Sequence, residues 1–210
     1  MDLDIVKVRG LSVERITYRE AMDIVIKHHY LHRAGPCSVA YGLMLNGLIV
    51  GVVCYGTPSS APLRRGVCGP SEKDNVIELT RLWVMDGMPK NSASFLIGNT
   101  IRLCPKEIVV SYADISVGHI GVVYQATNWI YTGLSAKRSN WVIRGEVEKH
   151  CQTIADKYTA AELKEKYGDD FILAQRPRKH RYVYFNTGRK RRKELMLKLK
   201  YKPKPYPKQV

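Results

Sequence analysis

Two apolar runs that meet at Asn46-Gly47 constrain this chain more than any other feature. Residues 38–45 and 48–55 are apolar and short, and Asn-Gly supplies the two left-handed positions of a tight hairpin turn. An antiparallel hairpin is predicted, and its neighbours must extend a sheet. Upstream, Thr17-Tyr-Arg-Glu20 is a capping box that opens the helical run Ala21-Met-Asp-Ile-Val-Ile-Lys-His-His-Tyr30. That helix is expected to run into the polar aromatic cluster His28-His-Tyr-Leu-His-Arg33, and Gly35-Pro36 then breaks it.

Downstream, residues 57–75 are rich in Pro, Gly and Ser and read as a long loop. Residues 76–85 alternate as a strand, with Val76, Glu78, Thr80, Leu82 and Val84 on one face and Ile77, Leu79, Arg81, Trp83 and Met85 on the other. Ser92 is placed to cap a helix carrying Ala93, Leu96, Ile97, Thr100 and Ile101, which Pro105 closes. A strand is predicted over 107–114, a helix over 118–131, and late strands over 141–144 and 181–185. Between the late strands, Thr159-Ala-Ala-Glu162 caps a short charged helix that stops at Gly168. Lys202-Pro-Lys-Pro-Tyr-Pro-Lys208 reads as an extended polyproline-like tail. The order predicts an α/β (α+β) fold with a mixed central sheet flanked by helices.

Charge divides the chain. The net charge is +15, yet residues 176–210 hold 14 of the 34 basic residues and only one acid, Glu194. The expected organisation is a nearly neutral body, 1–175, followed by a basic C-terminal strand and nucleic-acid-binding arm, 176–210. Such an arm attracts polyanions, so nucleic acid is the default partner; the blander reading is a solubilising tail. Removing residues 189–210 is expected to weaken polyanion binding without unfolding the body. The arm has no sustained amphipathic stripe, and no apolar run approaches the roughly 20 residues that span a bilayer. Met1-Asp-Leu-Asp-Ile-Val lacks the pattern of a secretory signal, and five cysteines without a Cys-x-x-Cys pair suit a reducing cytoplasm.

The stretch from Ser111 to Gly133 carries the densest chemistry. A strand end delivers Asp114 to the sheet edge, where ligands of open α/β sheets bind. On the following predicted helix, Tyr124 and Asn128 share a face bordered by Gln125, while Val122, Val123, Ala126 and Ile130 form an apolar stripe toward the core. The polar stripe is either a proton donor and hydrogen-bonding wall or a set of groups that satisfy buried backbone. His28 and His32, four apart, would share a face if the helix reached them. With Asp114 they form a candidate iron or zinc set; alternatively one histidine is a base, or contacts phosphate beside Arg33.

His29-Tyr30, Glu78-Leu-Thr-Arg-Leu-Trp-Val84, Tyr112-Ala-Asp114 with Gly118-His-Ile-Gly121, Tyr124-Gln-Ala-Thr-Asn-Trp-Ile-Tyr-Thr-Gly133 and Lys179-His-Arg-Tyr-Val-Tyr-Phe185 together resemble the bacteriophage Mom DNA-modification family. The resemblance covers roughly residues 15 to 205 and implies a GNAT-like acyltransferase fold, a layout the element order also matches. It implies an enzyme that converts adenine in double-stranded DNA to its carbamoylmethyl form at the exocyclic amine, blocking restriction endonucleases. Catalytic positions carried over are His29, Tyr30, Asp114 and Tyr124. Substrate-binding candidates are Arg33, Arg81, Trp83, Ser116, His119, Gln125, Asn128, Arg181, Lys190, Arg191 and Arg192. Iron has been suggested for the family, and His28, His32 and Asp114 are the residues placed to hold it.

GNAT enzymes cradle coenzyme A on a Gly-rich turn after the fourth strand. Here that position reads Met85-Asp-Gly-Met-Pro-Lys-Asn-Ser-Ala-Ser94, without the glycine pattern, although Lys90, Asn91 and Ser92 remain at a helix N-terminus as candidate cofactor contacts. Candidate donors are glycyl-tRNA, since carbamoylmethyl is an isomer of glycyl, or an acyl-CoA. A flipped adenine would stack on Trp83, Trp129 or Tyr30. Two other readings are a nucleic-acid-binding module on an inactive scaffold and a GNAT N-acetyltransferase.

Overall fold

The computed structural model describes residues 8–145, 154 and 157–208. Cys151 lies outside them, as does the N-terminal segment read for a signal. Thr17 caps α1 (Tyr18–His28) through the predicted capping box, but the helix stops at His29, whose backbone is extended. The hairpin is β2 (Val39–Leu45) and β3 (Leu48–Gly56), with Asn46 at φ 50° and Gly47 at φ 78°. β1 (Ser12–Ile16) adds to its outer edge.

The segment expected to be a loop is instead α2 (Ala61–Cys68) followed by a 3-10 turn over Pro70–Asn75. Ser60 accepts a hydrogen bond from the Leu63 amide at 3.3 Å, and Pro62 tolerates a first-turn position that needs no amide donor. β4 (Val76–Val84), α3 (Ser92–Thr100) and β5 (Ile108–Asp114) follow. Ser92 is the first residue of α3 rather than its cap; left-handed Asn91 holds that place.

The helix expected over 118–131 is only α4 (Val122–Ala126). Gly118, Gly121 and Asn128 adopt φ of 72°, 81° and 60°, which a continuous helix cannot accommodate, and the remainder becomes β6 (Ile130–Leu134). The anticipated faces are also inverted: Tyr124 is buried and Val122 is 56% exposed. β7 (Arg138–Ile143) pairs with β8 (Phe171–Arg176), a strand the sequence did not reveal. Between them lies α5 (Ala160–Tyr167), capped at Thr159 as predicted.

β9 (Lys179–Phe185) enters the main sheet, whose order is β1-β2-β3-β4-β5-β9-β6; β7 and β8 form a separate ribbon. Among the described residues only β4 and β5 pair in parallel. One face packs Leu43, Val53, Tyr55, Ile77, Leu79 and Val109 against Leu96, Ile97 and Ile101 of α3 and its exit turn. On the other, α1 covers Ala40, Val52 and Cys54, while α2 and α6 (Arg189–Lys198) cover Val76, Val110, Val183 and Phe185.

The C-terminal segment is therefore docked. Leu195 is fully buried, and the buried Glu72 carboxylate takes Arg191 and Lys198, each at 2.6 Å. The tail runs along β6, with Lys204 N–H donating to the Tyr131 carbonyl at 2.8 Å and the Tyr206 hydroxyl to the Trp129 carbonyl at 2.7 Å. Removing residues 189–210 would thus strip a core side chain and leave Glu72 without its cations, contrary to the expectation of an intact body. No helix among the described residues is long and apolar enough to cross a membrane.

Candidate active site

β4 and β5 are paired only from Val76 to Leu79 and from Ile108 to Ser111. Beyond those residues they part, and polar groups from both strands line the opening. A bulge decides which groups these are. The β3–β4 register shifts at Cys54/Tyr55, leaving Thr80 as the extra residue. Ile77 and Leu79 before the bulge, and Leu82 and Val84 after it, all join the α3-side core. Glu78, Arg81 and Trp83 therefore turn together toward the α1 side, although strict alternation separates Glu78 from the other two.

Asp114, 7% exposed, ends β5. Its Oδ2 is 2.6 Å from Lys179 Nζ, and its Oδ1 accepts the Ser116 hydroxyl at 2.6 Å and the Ser116 amide at 3.1 Å. Burial pushes this carboxyl up, but Lys179 and Ser116 outweigh burial and hold it at about 2. The Tyr30 hydroxyl approaches Oδ2 at 3.4 Å. Burial, followed by the Asp114 charge, raises that phenol to about 12. The Tyr30 ring stacks on His29 at 4.5 Å and meets His119 edge-on at 5.9 Å.

His29 is buried, and desolvation followed by nearby cationic groups, Arg81 first, lowers it to about 4. Its Nδ1 accepts the Leu31 amide at 3.1 Å, so the neutral ring carries its proton on Nε2. Arg81 braces this turn: its Nε donates to the Arg33 carbonyl at 3.1 Å and its Nη2 to the Ala34 carbonyl at 3.0 Å.

Tyr124 comes from the opposite face of β5. Its hydroxyl is 2.8 Å from that of Ser111, and burial raises it to about 12. Glu78 completes the opening. Burial pushes its carboxyl up to about 7 against the lowering charges of Arg81 and Lys179. The structure thus gathers His29, Tyr30, Arg81, Asp114, Ser116, His119 and Tyr124 from the sequence candidates.

Others lie apart. Trp83 is stacked on His28 at 4.9 Å. Gln125 binds the Tyr182 hydroxyl at 3.3 Å and the Pro207 carbonyl at 3.4 Å, and Asn128 ends the α4 turn instead of sharing a helical face with Tyr124. Arg181 lies 3.4 Å over the Tyr201 ring and binds Thr132. Lys190, Arg191 and Arg192 belong to α6, where Arg191 is tied to Glu72 and Glu107. Lys90, Asn91 and Ser92 stand at the start of α3.

Because α1 ends early, His32 falls in a left-handed turn (φ 42°) and shares no helical face with His28. Among the described residues no group of three His, Cys, Asp or Glu side chains is placed to share a metal ion, so His28, His32 and Asp114 do not fit as an iron site.

Sequence reasoning missed Lys179, Ser111 and Glu78 as site residues. Lys179 and Glu78 stood within quoted motifs. Neither the Asp114–Lys179 register nor the bulge that turns Arg81 to the side of Glu78 has a local signature.

The Mom protein family model matches residues 10–208. Over 131 residues the chain is 34% identical to Methylcarbamoylase mom of Escherichia phage Mu, covering 60% of this chain and 54% of that protein. The match thus spans about half the length of that curated relative. Similar solved structures include an N-acetyltransferase from Staphylococcus aureus Mu50 (13% identity, TM-score 0.46, 84% of this chain and 99% of that one). Another is a Bacillus subtilis acetyltransferase in complex with CoA (14% identity, TM-score 0.45, 83% and 98%).

Proposed function

The chain belongs to the Mom protein family, and on that premise we propose that it is a DNA-modifying transferase that converts adenine to its N6-carbamoylmethyl form. In a phage-infected cell this would act in the host cytoplasm and shield DNA from restriction. The observation that carries the reading is the cluster of Glu78, Asp114, Tyr30 and Tyr124 where β4 and β5 part.

The adenine amine is paired inside a duplex, so the base must leave the stack. Of the three rings considered to receive it, Trp129 is fully buried and Trp83 is covered by His28. Tyr30 is 42% exposed and adjoins Asp114, which supports it as the platform. Asp114, ionised and anchored by Lys179, orients the amine by accepting one of its hydrogens. It is too weak a base to remove a proton at neutral pH, whereas Glu78 holds a carboxyl whose proton affinity suits that step. Tyr124, neutral and buried, is assigned here as the proton donor to the leaving group.

The donor chemistry closes with one acyl transfer followed by an intramolecular substitution at ring C6. The amine attacks the carbonyl of an activated glycine, a glycyl-tRNA ester or a glycyl thioester of coenzyme A. The new bond joins N6 to the glycyl carbon, and the tRNA hydroxyl or thiol departs with a proton. The terminal glycyl amine then attacks ring C6, the original C6–N6 bond breaks, and N6 leaves as the carboxamide nitrogen. The product is carbamoylmethyladenine, an isomer of the first amide. Lys90 at the start of α3 supports an anionic donor approaching from that side.

Nucleoside mass spectrometry on DNA from expressing cells tests this. Wild type should yield adenine heavier by one glycyl residue; Asp114→Ala and Tyr124→Phe should yield none while retaining DNA affinity. Unmodified DNA from wild type, or full modification by both variants, refutes the assignment. Ribonuclease sensitivity of the purified reaction separates glycyl-tRNA from the thioester.

A further inference from the structure

The β7–β8 ribbon stands outside the main sheet, inserted between β6 and β9. Its far end is held by packing of Ile143, Trp141 and Phe171 on Leu163 of α5. Its near end is stapled to the site: Ser135 N–H donates to the Lys179 carbonyl at 2.8 Å, and Lys179 N–H to the Ser135 hydroxyl at 3.0 Å. Lys179 is the cation on Asp114, so the ribbon's root and the candidate site share a residue.

The first rung of the ribbon sets Arg138 directly opposite Arg176. Like charges facing each other across strands destabilise a ribbon. Both side chains are exposed, and among the described residues neither has a hydrogen-bond or ion-pair partner. Arg178, by contrast, is spent on the carbonyls of Ser135 and Leu134. The charge of Arg176 reaches the Tyr30 hydroxyl, and that of Arg138 reaches Tyr112. Two guanidinium groups without a partner among the described residues thus face each other at the ribbon's root, with backbones about 5 Å apart and within electrostatic reach of Tyr30 and Tyr112.

We propose that the Arg138–Arg176 rung is a phosphate clamp for the DNA strand that carries the target base. This rests on the DNA-modifying reading above and names the element that holds the acceptor. A flipped nucleotide stays joined to its own phosphates, so cations beside the Tyr30 platform meet the phosphates that flank it. The guanidinium fork binds phosphate oxygens through paired hydrogen bonds, which explains arginine at both positions.

The test uses the full chain and a fluorescent duplex containing adenine, with affinity measured against salt. Arg138→Gln/Arg176→Gln should lower the slope of log affinity against log salt by about two, one for each phosphate no longer neutralised. Arg138→Lys/Arg176→Lys should retain most of the slope, because charge sets it. The glutamine variant should melt no lower than wild type, since it relieves a repulsion rather than breaking a bond. An unchanged slope on duplex overturns the clamp while leaving the modification reading intact. Loss of affinity for transfer RNA but not for duplex assigns the rung to RNA and also overturns it. A wild-type protein with no duplex affinity sinks both readings.

Discussion

Substituting Lys179 by methionine removes the cation while keeping most of the side chain's volume. Asp114 is 7% exposed, and its Oδ2 lies 2.6 Å from Lys179 Nζ. The carboxyl is held at about 2, against 3.8 for an ordinary aspartate. At about 1.4 kcal/mol per unit, that depression corresponds to roughly 2 kcal/mol of folding stability. Because the folded value is the lower one, the stabilisation is complete well above pH 4 and is lost as pH falls toward 2. Roughly half should be gone by pH 3. In Lys179→Met the two Ser116 hydrogen bonds remain, but the carboxylate loses its only cation contact among the described residues. The expected loss at pH 7 is about 2 kcal/mol, below the roughly 3–5 kcal/mol of a fully buried pair because Lys179 is itself 20% exposed. Urea unfolding at pH 7, 5 and 3 on wild type, Lys179→Met, Asp114→Asn and the double variant gives the coupling directly. It should be near 2 kcal/mol at pH 7 and clearly smaller at pH 3. A coupling below about 0.5 kcal/mol at pH 7, or one that ignores pH, would show that the pair is not what holds Asp114.

Glu78 gives the opposite pH signature. Its folded value lies above the ordinary carboxylate range, at about 7, so stability should decline as pH rises from about 4.5 through 7. Glu78→Gln should therefore be more stable than wild type at pH 8 and about equal at pH 5. In the modification assay the wild-type rate should climb through pH 7, and that limb should vanish in the variant. Equal stabilities at pH 8, or a retained limb, would remove Glu78 from the base role. At the other end of the chain, Leu195→Ala opens a void in a fully buried position and should cost about 2–5 kcal/mol. A loss under 0.5 kcal/mol, measured by thermal or urea unfolding, would mean that α6 is not part of the folded body.

Local chemistry was legible where a few adjacent residues determine the outcome. Thr17-Tyr-Arg-Glu20 and Thr159-Ala-Ala-Glu162 cap helices as their side chains dictate, and Asn46-Gly47 turns the hairpin. Asp114 does end a strand, and Tyr30 and His29 do stand beside it. Misreadings arose where backbone sign or distant pairing decided. Periodicity extended one helix across residues 118–131, yet left-handed Gly118, Gly121 and Asn128 cut it to five residues and turned Tyr124 inward. Ser60 and Pro62 start α2 within a segment whose composition suggested a loop.

What the sequence alone determined, then, is the hairpin, the strand carrying Asp114, the mixed α/β layout and the pool of polar residues from which the site is drawn. Tertiary structure decided which members of that pool meet. The Thr80 bulge brings Glu78 and Arg81 to one side, β9 delivers Lys179 to Asp114 across 65 positions of chain, and α6 docks through Leu195 although its composition is that of a free basic arm. Helix caps and tight turns act over three or four residues and leave their mark in those residues. Strand register and burial are settled by the summed packing of the whole sheet, and no short segment encodes that sum.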